Sequence, residues 1–470
     1  MKIEQIYTGC LAEAAYYIES NGEVAIIDPL RESAPYIEKA KADNAKIKYV
    51  LETHFHADFV SGHLDLASKT GATIVFGPTA EPSYPAHIAE DNEILALGNV
   101  FIQVLHTPGH TMESSSFLLL DENQQQIAVF TGDALFIGDV GRPDLAVKTN
   151  LTEKDLAGYL YESLQQKILP LNDDVIIYPG HGAGSACGKN MSKETQDTLG
   201  NQKKTNYALQ AKSKEEFINQ VLDGLVAPPQ YFPKNAVMNK LGYESIDKVI
   251  DRGLKSLSPA GFEAAANETE ALMLDVRDPQ DFAKSHIPNS INIGLDGVFA
   301  SWVGTLIPDL QQEILLIAYP GKEEEAVIRL ARVGYDNTIG YLNGGIEEWI
   351  NKGKVTNQIE TIDAEEFAKL FNSKEPINVL DVRKESEYES EHIKGIPNFP
   401  LDFINLHMAE LDPTKKYYLH CAGGYRSMIT ASILKSRGFL NVVNINGGFA
   451  ALKSTNAFEL TEYQEPKTML

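Results

Sequence analysis

The chain has 470 residues, of which 43% are hydrophobic and 23% charged, and this length predicts about three domains rather than one. Its net charge of −24 repels phosphate backbones and anionic lipids, so nucleic acid and membrane surfaces are excluded as expected partners. The N-terminus lacks a basic segment followed by an apolar one, and no stretch approaches membrane-spanning length, so we expect a cytoplasmic protein. The cysteines Cys10, Cys187 and Cys421 are too scattered for a disulfide framework and are predicted to be free thiols.

The first half of the chain alternates short apolar strands with helices. Residues 24–29, 47–52 and 73–76 read as strands, while 34–41 and 62–70 read as helices. A second set of strands follows. This pattern predicts an α/β fold in which a sandwich of sheets is covered by helices.

A cluster of metal-ligand residue types directly follows the strand at 47–51. His54, His56 and Asp58 occupy alternate positions. Burying all three side chains costs free energy unless they bind a common cation. Further candidate ligands follow later apolar strands, namely His110, Asp133 and His181. We expect one sheet edge to collect them all as a metal site. The remaining histidines of this half, His63, His87 and His106, are interpreted as structural.

Helix-capping patterns and a proline-rich segment organise the rest of this half. Thr152 with Asp155 predicts a helix that runs to Ile168, and Ser213 with Glu216 predicts another. Residues 227–233 then break regular structure. We therefore predict a first domain over residues 1–230 and a helical linker over 231–258.

An internal repeat fills the remainder of the chain. The segment at 273–277 recurs at 379–383 with Asp-Val-Arg in common, and His286-Ile287 recurs as His392-Ile393. Each copy reads as strands alternating with helices, which predicts two α/β domains with parallel sheets over 259–357 and 358–470.

The second copy carries a candidate nucleophile. A strand at 416–420 runs into Cys421, and a helix follows from about 428. Small residues and the helix N-terminus would direct backbone N–H groups toward a thiolate or a transferred anion, with Arg426 as counter-charge. The other loop residues are Ala422, Gly423, Gly424, Tyr425 and Ser427. The first copy has no cysteine in its loop, so we interpret it as a spacer or docking domain, with acceptor binding as the alternative.

These motifs resemble two known families. The order of histidines and aspartates in the first half is similar to the metallo-β-lactamase fold, an αββα sandwich, and within it to the persulfide dioxygenases; the Cys421 loop resembles a rhodanese domain. As a whole the chain resembles the persulfide dioxygenase–rhodanese fusions of bacterial sulfide detoxification. The resemblance implies one Fe(II) per chain, held by His54, His110 and Asp133, whereas His56, Asp58 and His181 orient ligands and bound water or bind metal themselves.

The resemblance also implies a reaction, in which a small thiol persulfide, O2 and water give the thiol and sulfite. A persulfide on Cys421 would then convert sulfite to thiosulfate, or the rhodanese step would run in reverse. Arg142 is a candidate ligand for a carboxylate of the carrier thiol, and an ion pair with Asp139 or Asp144 is the alternative. Cys187 is a candidate sulfur acceptor, and an incidental structural cysteine is the alternative.

Two other functions stay open from sequence. A zinc thioester hydrolase of the glyoxalase II kind would place a second-metal histidine where this chain has Phe59. A sulfur carrier would use Cys421 and keep the metal domain as a scaffold. The sequence also leaves open the carrier thiol (glutathione, coenzyme A or bacillithiol) and a homo-oligomeric state, such as a dimer or tetramer.

Overall fold

The structure is a computed structural model that describes residues 1–145, 151–373 and 375–465. Residues 466–470, the end of the predicted last domain, lie outside the described residues. The described chain divides into unit 1, residues 1–246 with 331–334, and unit 2, residues 247–330 with 335–465. None of the described helices is long and apolar enough to cross a membrane.

Unit 1 contains two mixed sheets. The first consists of β1 (Lys2–Thr8), β2 (Glu13–Ser20), β3 (Glu23–Ile27), β4 (Lys46–Leu51), β5 (Thr73–Phe76) and β6 (His87–Ile88), in this spatial order. The second consists of β7 (Ile94–Leu97), β8 (Val100–His106), β9 (Ser115–Leu120), β10 (Gln126–Gly132), β11 (Ile176–Pro179) and β12 (Asp197–Thr198), also neighbours in sequence order. The helices are α1 (Ala34–Ala42), α2 (His63–Thr70), α3 (Glu153–Ser163), α4 (Leu199–Thr205), α5 (Lys214–Leu222) and α6 (Phe232–Leu241).

The first sheet is apolar on both faces, as β2 illustrates. Successive side chains of a strand point to opposite faces. Ala14, Tyr16 and Ile18 accordingly join the core between the two sheets, while Ala15 and Tyr17 join the core under α1 and α2. This two-sided burial explains why the strand reads as a continuous apolar run rather than as an alternation.

The second sheet completes a four-layer sandwich. Its inner face contributes Phe117 and Phe130 to the central core, and its outer face is covered by Leu160 of α3 and Phe217 of α5. The predicted αββα architecture of the first half is therefore confirmed.

The predicted helix starts at Thr152 and Ser213 are confirmed. Thr152 and Asp155 exchange side-chain-to-backbone hydrogen bonds in a capping box, and the Ser213 hydroxyl accepts from the backbone N–H of Glu216. A π-helical turn, Leu164–Ile168, extends α3 to the predicted end.

Unit 2 contains two parallel sheets. The first domain has β13 (Ser256–Leu257), β14 (Leu272–Asp275), β15 (Ile291–Asn292), β16 (Ile314–Ile317) and β17 (Thr338–Leu342), in the spatial order β13-β17-β16-β14-β15. The second has β18 (Glu360–Ile362), β19 (Asn378–Asp381), β20 (Tyr417–His420) and β21 (Val442–Ile445), in the order β18-β21-β20-β19. The helices are α7 (Ile246–Gly253), α8 (Pro259–Thr269), α9 (Pro279–Lys284), α10 (Phe299–Leu306), α11 (Glu323–Arg332), α12 (Gly345–Asn351), α13 (Ala364–Asn372), α14 (Glu385–Ser390), α15 (Ile404–His407), α16 (Tyr425–Ser436) and α17 (Gly448–Ser454), with 3-10 turns at Leu401–Phe403 and Met408–Glu410.

The repeated Asp-Val-Arg segment has the same role in both copies. Arg277 pairs with Asp275, and Arg383 pairs with Asp381, each through an Nη2–Oδ2 distance of 2.6 Å with all four side chains buried. The pair ties the end of one strand to the loop that follows it. The repeat therefore marks two copies of one fold, as the sequence predicts.

Candidate metal centre and sulfur-transfer site

The candidate metal ligands come from both sheets of unit 1. His54 follows β4 of the first sheet, whereas His110, Asp133 and His181 follow β8, β10 and β11 of the second. The expectation that a single sheet edge collects them is therefore wrong. The sandwich brings the ends of its two sheets together, and the cluster lies there.

Three of these side chains form one buried group. The carboxylate Oδ2 of Asp133 lies 4.0 Å from Nε2 of His54 and 3.4 Å from Nε2 of His110. One ligand atom from each residue lies within 4.8 Å of the other two, and each residue is at most 2% exposed. Neither carboxylate oxygen of Asp133 has a hydrogen-bond partner in the described part of the chain. A buried carboxylate without a donor is costly, so these residues fit a bound metal ion.

The histidine rings are oriented by hydrogen bonds at Nδ1. The Thr53 hydroxyl donates to Asp28 at 2.8 Å, so the Nδ1–H of His54, 2.9 Å away, donates to Thr53. The Nδ1–H of His110 donates to the backbone carbonyl of Arg142 at 2.9 Å. In the neutral form of both rings Nε2 is therefore the unprotonated atom, and it faces Asp133, which is the arrangement expected of metal-binding histidines.

Burial also favours the metal-binding form of His54. Burial and the neighbouring imidazoles of His56, His110 and His181 hold the pKa of His54 well below its ordinary value. The ring is therefore neutral at ordinary pH, the form in which imidazole binds metals.

A second group adjoins the first through Asp133. His181 Nε2 lies 3.5 Å from Asp133 Oδ1 and 3.5 Å from Asp58 Oδ2, and the Cys187 thiol lies within the same 4.8 Å cluster as Asp58 and His181. The Nδ1–H of His181 donates to the Ala12 carbonyl at 3.2 Å. The structure thus places Cys187 beside the candidate metal ligands Asp58 and His181. Burial raises the pKa of its thiol well above the usual range.

His56 points away from the other ligands. Its ring packs against His54 with centroids 4.2 Å apart, but its Nε2 faces Asp28 at 3.0 Å and Glu52 at 3.7 Å. Although burial acts to lower it, these carboxylates raise the pKa of His56 to about 10. His56 therefore belongs to a third buried cluster, which it forms with Asp28 and Glu52. The adjoining Phe59 is fully buried, with its ring centroid 4.4 Å from that of His56, and offers no ligand atom.

Arg142 is engaged within its own loop. Arg142 is 1% exposed, and its guanidinium donates two hydrogen bonds to the Asp144 carboxylate, from Nε to Oδ1 and from Nη2 to Oδ2, each 2.7 Å long. It also donates to the Ala186 and Val226 carbonyls. The geometry favours the loop-ordering ion pair over a substrate carboxylate, and the backbone carbonyl of Arg142 is the group that touches the metal centre.

Sequence reasoning missed Asn239. This residue lies on α6, inside the segment predicted as a linker, and its Nδ2 donates to the carbonyls of His56 and Phe59 at 2.8 Å each. Its Oδ1 accepts from the Ser61 N–H at 3.0 Å. Asn239 therefore fixes the backbone of the histidine loop. A lone asparagine far from the motif gives no sequence signal for such a contact.

The loop that holds Cys421 joins a strand to a helix as predicted, but the helix begins at Tyr425 rather than near Met428, so Tyr425, Arg426 and Ser427 belong to the helix. Cys421 is 1% exposed, and its Sγ accepts from the Gly424 N–H at 3.1 Å. The Ser427 hydroxyl lies 3.6 Å from the sulfur and donates to the Asn444 side-chain oxygen at 2.6 Å. Gly424 has a φ of +110°, a conformation that favours glycine. Helix α16 begins at the next residue. Ala422 and Gly423 complete the turn between the thiol and this helix.

Arg426 is held beside this loop by an acidic residue. Its guanidinium forms a bidentate ion pair with the Glu387 carboxylate, with an Nη2–Oε1 distance of 2.8 Å. An acceptor anion would therefore share Arg426 with a carboxylate. In the other copy, Ala318 follows β16 where Cys421 follows β20, and the carboxylate of Glu323 accepts from the Gly321 N–H at 2.7 Å.

The sandwich and its histidine–aspartate group define a metal-binding protein of the metallo-β-lactamase fold. The metallo-beta-lactamase superfamily profile matches residues 8–181, and the rhodanese-like domain profile matches 258–352 and 363–455. The chain belongs to the metallo-beta-lactamase superfamily, and its metallo-beta-lactamase domain is followed by two rhodanese-like domains.

Individual relatives differ in their activities. A solved metallo-beta-lactamase from Staphylococcus aureus subsp. aureus COL is 33% identical, with a TM-score of 0.64 over 73% of this chain and 98% of that one. A probable hydroxyacylglutathione hydrolase of Schizosaccharomyces pombe is 32% identical over 41% of this chain and 72% of its own length. The mitochondrial persulfide dioxygenase ETHE1 of Homo sapiens is 33% identical over 34% of this chain and 59% of its own length.

Proposed function

We propose that the chain is a non-haem iron(II) persulfide dioxygenase coupled to a rhodanese sulfurtransferase. The observation that carries the proposal is the group of His54, His110 and Asp133, two imidazole nitrogens and one carboxylate that converge from separate strands. Two histidines and one carboxylate with open positions are the donor set of non-haem iron(II) oxygenases. The similarity to a human persulfide dioxygenase supports the same choice.

Phe59 supports one metal rather than two. An imidazole at this position would add a nitrogen ligand beside Asp58, whereas the phenyl ring is fully buried against His56. A second ion would depend on Asp58, His181, Cys187 and a share of Asp133.

The proposed first reaction is R–S–SH + O2 + H2O → R–SH + SO3²⁻ + 2 H⁺. Bound iron(II) would supply the redox chemistry and the open positions at which persulfide and O2 meet. His54, His110 and Asp133 would hold it, and the Thr53 hydroxyl and the Arg142 carbonyl accept at Nδ1 of the two rings and so direct their Nε2 atoms toward it. The surrounding side chains are buried, which separates the reacting groups from bulk solvent.

The proposed second reaction is Cys421–S–SH + SO3²⁻ → Cys421–SH + S2O3²⁻, once a further R–S–SH has loaded the cysteine by R–S–SH + Cys421–SH → R–SH + Cys421–S–SH. The S–S bond at Cys421 breaks, sulfite sulfur forms the new S–S bond, and the cysteine sulfur leaves with the electron pair. The Gly424 N–H, 3.1 Å from Sγ, stabilises that developing charge. Sulfite is the product of the first reaction, so the two activities form a sequence. The carrier R–SH is proposed among glutathione, coenzyme A and bacillithiol.

A zinc-dependent thioester hydrolase is the second candidate. The observation that favours it is the adjoining group of Asp58, His181 and Cys187, which shares Asp133 with the first and resembles half of a two-metal site. The similarity to a probable hydroxyacylglutathione hydrolase points the same way.

Oxygen uptake separates the two candidates. The full chain, purified anaerobically and loaded with Fe(II), is given glutathione persulfide, and then coenzyme A persulfide, while O2, sulfite and thiosulfate are measured. We expect one O2 to be consumed for each persulfide oxidised to sulfite, and one further persulfide to be consumed for each thiosulfate formed, because a second persulfide loads Cys421. An iron-loaded sample that takes up no O2 with either persulfide, yet hydrolyses S-lactoylglutathione when loaded with zinc, would overturn the dioxygenase assignment.

A further inference from the structure

The middle domain has no cysteine in its loop, yet it touches the loop that holds Cys421. The Tyr425 hydroxyl donates to the backbone carbonyl of Gly294 at 2.7 Å. Tyr425 is the first residue of α16, and Gly294 follows β15 in the cysteine-free domain. Both domains belong to unit 2. The contact therefore joins the sulfur-transfer loop directly to the neighbouring copy of the fold.

A second contact holds the same helix further along. The Asn292 N–H of β15 donates to the Ser432 hydroxyl at 2.9 Å. Ser432 lies two helical turns after Tyr425, on the same face of α16. Asn292 is itself fixed, because its side-chain amide donates to the carbonyls of Asp275 and Arg277 at 3.0 Å each. The edge of the middle sheet thus supports α16 at two points.

Glycines allow the tyrosine ring to lie close to the middle domain. A Cβ on Gly294 would come within 3.3 Å of the Tyr425 ring, and one on Gly297 within 3.4 Å. Gly297 also has a φ of +134°, where a side chain would be strained. The Arg329 guanidinium donates to the Leu295 carbonyl at 2.6 Å and steadies this loop. The Tyr425 ring consequently packs directly against the backbone of Gly294 and Gly297.

The Tyr425 contact adjoins the groups that hold the reactive sulfur. Gly424, whose N–H donates to Cys421 Sγ at 3.1 Å, directly precedes Tyr425, and Ser427 follows two residues later. A shift of the start of α16 would move the Gly424 N–H, and with it the Ser427 hydroxyl, relative to the sulfur. The position of Tyr425 therefore sets the stabilisation available to a thiolate or persulfide on Cys421.

We propose that the cysteine-free middle domain positions the sulfur-transfer loop, and that Tyr425 is the positioning residue through which it acts. The proposal rests on the proposed sulfur transfer at Cys421. It gives the middle domain a role that needs no cysteine of its own.

The test is Tyr425→Phe in the full chain, which removes only the hydroxyl. We expect kcat for sulfur transfer from glutathione persulfide to sulfite to fall by about threefold to tenfold, the loss typical of one hydrogen bond, with little change in the KM for sulfite. The rate of alkylation of Cys421 by iodoacetamide, followed by peptide mass spectrometry, should reach its half-maximum at a higher pH than in the wild type.

Ser432→Ala is the matched control, since it removes a hydrogen bond to the same strand at the far end of the contact. We expect it to keep the wild-type kcat and alkylation profile. Wild-type values for Tyr425→Phe would overturn the proposal, as would equal losses of kcat in both variants with an unchanged alkylation profile. If the wild type transfers no sulfur to sulfite, the proposed function fails, and the alkylation profile alone decides whether Tyr425 positions the thiol.

Discussion

The Thr53 hydroxyl lies 2.9 Å from Nδ1 of His54 and gives its own proton to Asp28. Because the hydroxyl has one proton and has donated it, the histidine must donate at Nδ1, and its Nε2 lone pair faces Asp133. A residue outside the group of candidate ligands thereby selects the tautomer of His54.

Replacement of Thr53 by valine is expected to weaken metal binding about tenfold to hundredfold, the usual effect of losing a hydrogen bond behind a metal-binding histidine. Thr53→Ser keeps the hydroxyl and is expected to bind near the wild-type level. Chelator competition with Fe(II) under anaerobic conditions measures both affinities. Equal affinities for the valine and serine variants would contradict the assigned role.

Phe59→His is expected to raise the zinc bound by the zinc-loaded chain from about one ion to about two, since the new imidazole would add a ligand to Asp58, His181 and Cys187. Elemental analysis after gel filtration measures the metal content. Phe59→Leu, which keeps the position apolar, is the control and should not gain metal. A histidine variant that still binds a single ion would show that Phe59 does not limit the second site.

The local chemistry of the metal site could be read from the sequence because ligand types directly follow apolar strands. His54, His110 and Asp133 each stand just after a strand, so the sequence places them at strand ends. It does not reveal that β4 belongs to a different sheet from β8 and β10. Sheet membership depends on long-range pairing, which local periodicity does not record.

Contacts between distant segments were the part that sequence reasoning could not supply. Cys187 joins Asp58 in space, and Asn239 binds the histidine loop from a helix that reads as a linker. The Tyr425 contact with Gly294 depends on two copies of a fold packing together. Each of these contacts is made by a residue of ordinary type, so no spacing or composition marks it in advance.

Cys421→Ser is expected to abolish thiosulfate formation while leaving O2 uptake with glutathione persulfide near the wild-type rate. Serine cannot carry a persulfide, whereas the metal ligands belong to unit 1 and are unaltered. Sulfite should therefore accumulate in place of thiosulfate. Thiosulfate formed at the wild-type rate by the variant would remove Cys421 from the pathway, and a loss of O2 uptake would favour the sulfur-carrier alternative.

His286 is expected to make the middle domain less stable as the pH falls. Burial, with smaller contributions from Lys435 and Arg277, lowers the pKa of His286 from 6.5 to about 4, although its Nδ1–H donates to the Phe282 carbonyl. Below pH 6.5 the unfolded chain binds a proton at His286, whereas the folded chain binds that proton only below about pH 4. The free energy of unfolding should fall by about 2–3 kcal/mol across that window.

His286→Gln, which does not titrate there, should lose less stability than the wild type over the same pH window. Both tryptophans, Trp302 and Trp349, lie in this domain, so urea unfolding followed by tryptophan fluorescence reports on it directly. Parallel pH dependences for the variant and the wild type would show that His286 is not the responsible group.

Asn239→Ala is expected to destabilise unit 1 by about 2–4 kcal/mol, because the carbonyls of His56 and Phe59 and the N–H of Ser61 would lose their partner in a buried site. The same change should weaken metal binding, since the backbone between His54 and Asp58 would be freed. Asn239→Asp is the informative comparison, as it keeps the acceptor for Ser61 but replaces the donor to the two carbonyls with a negative oxygen. If α6 acts only as a linker, neither variant changes the metal affinity or the urea midpoint of unit 1, and the assigned role of Asn239 is wrong.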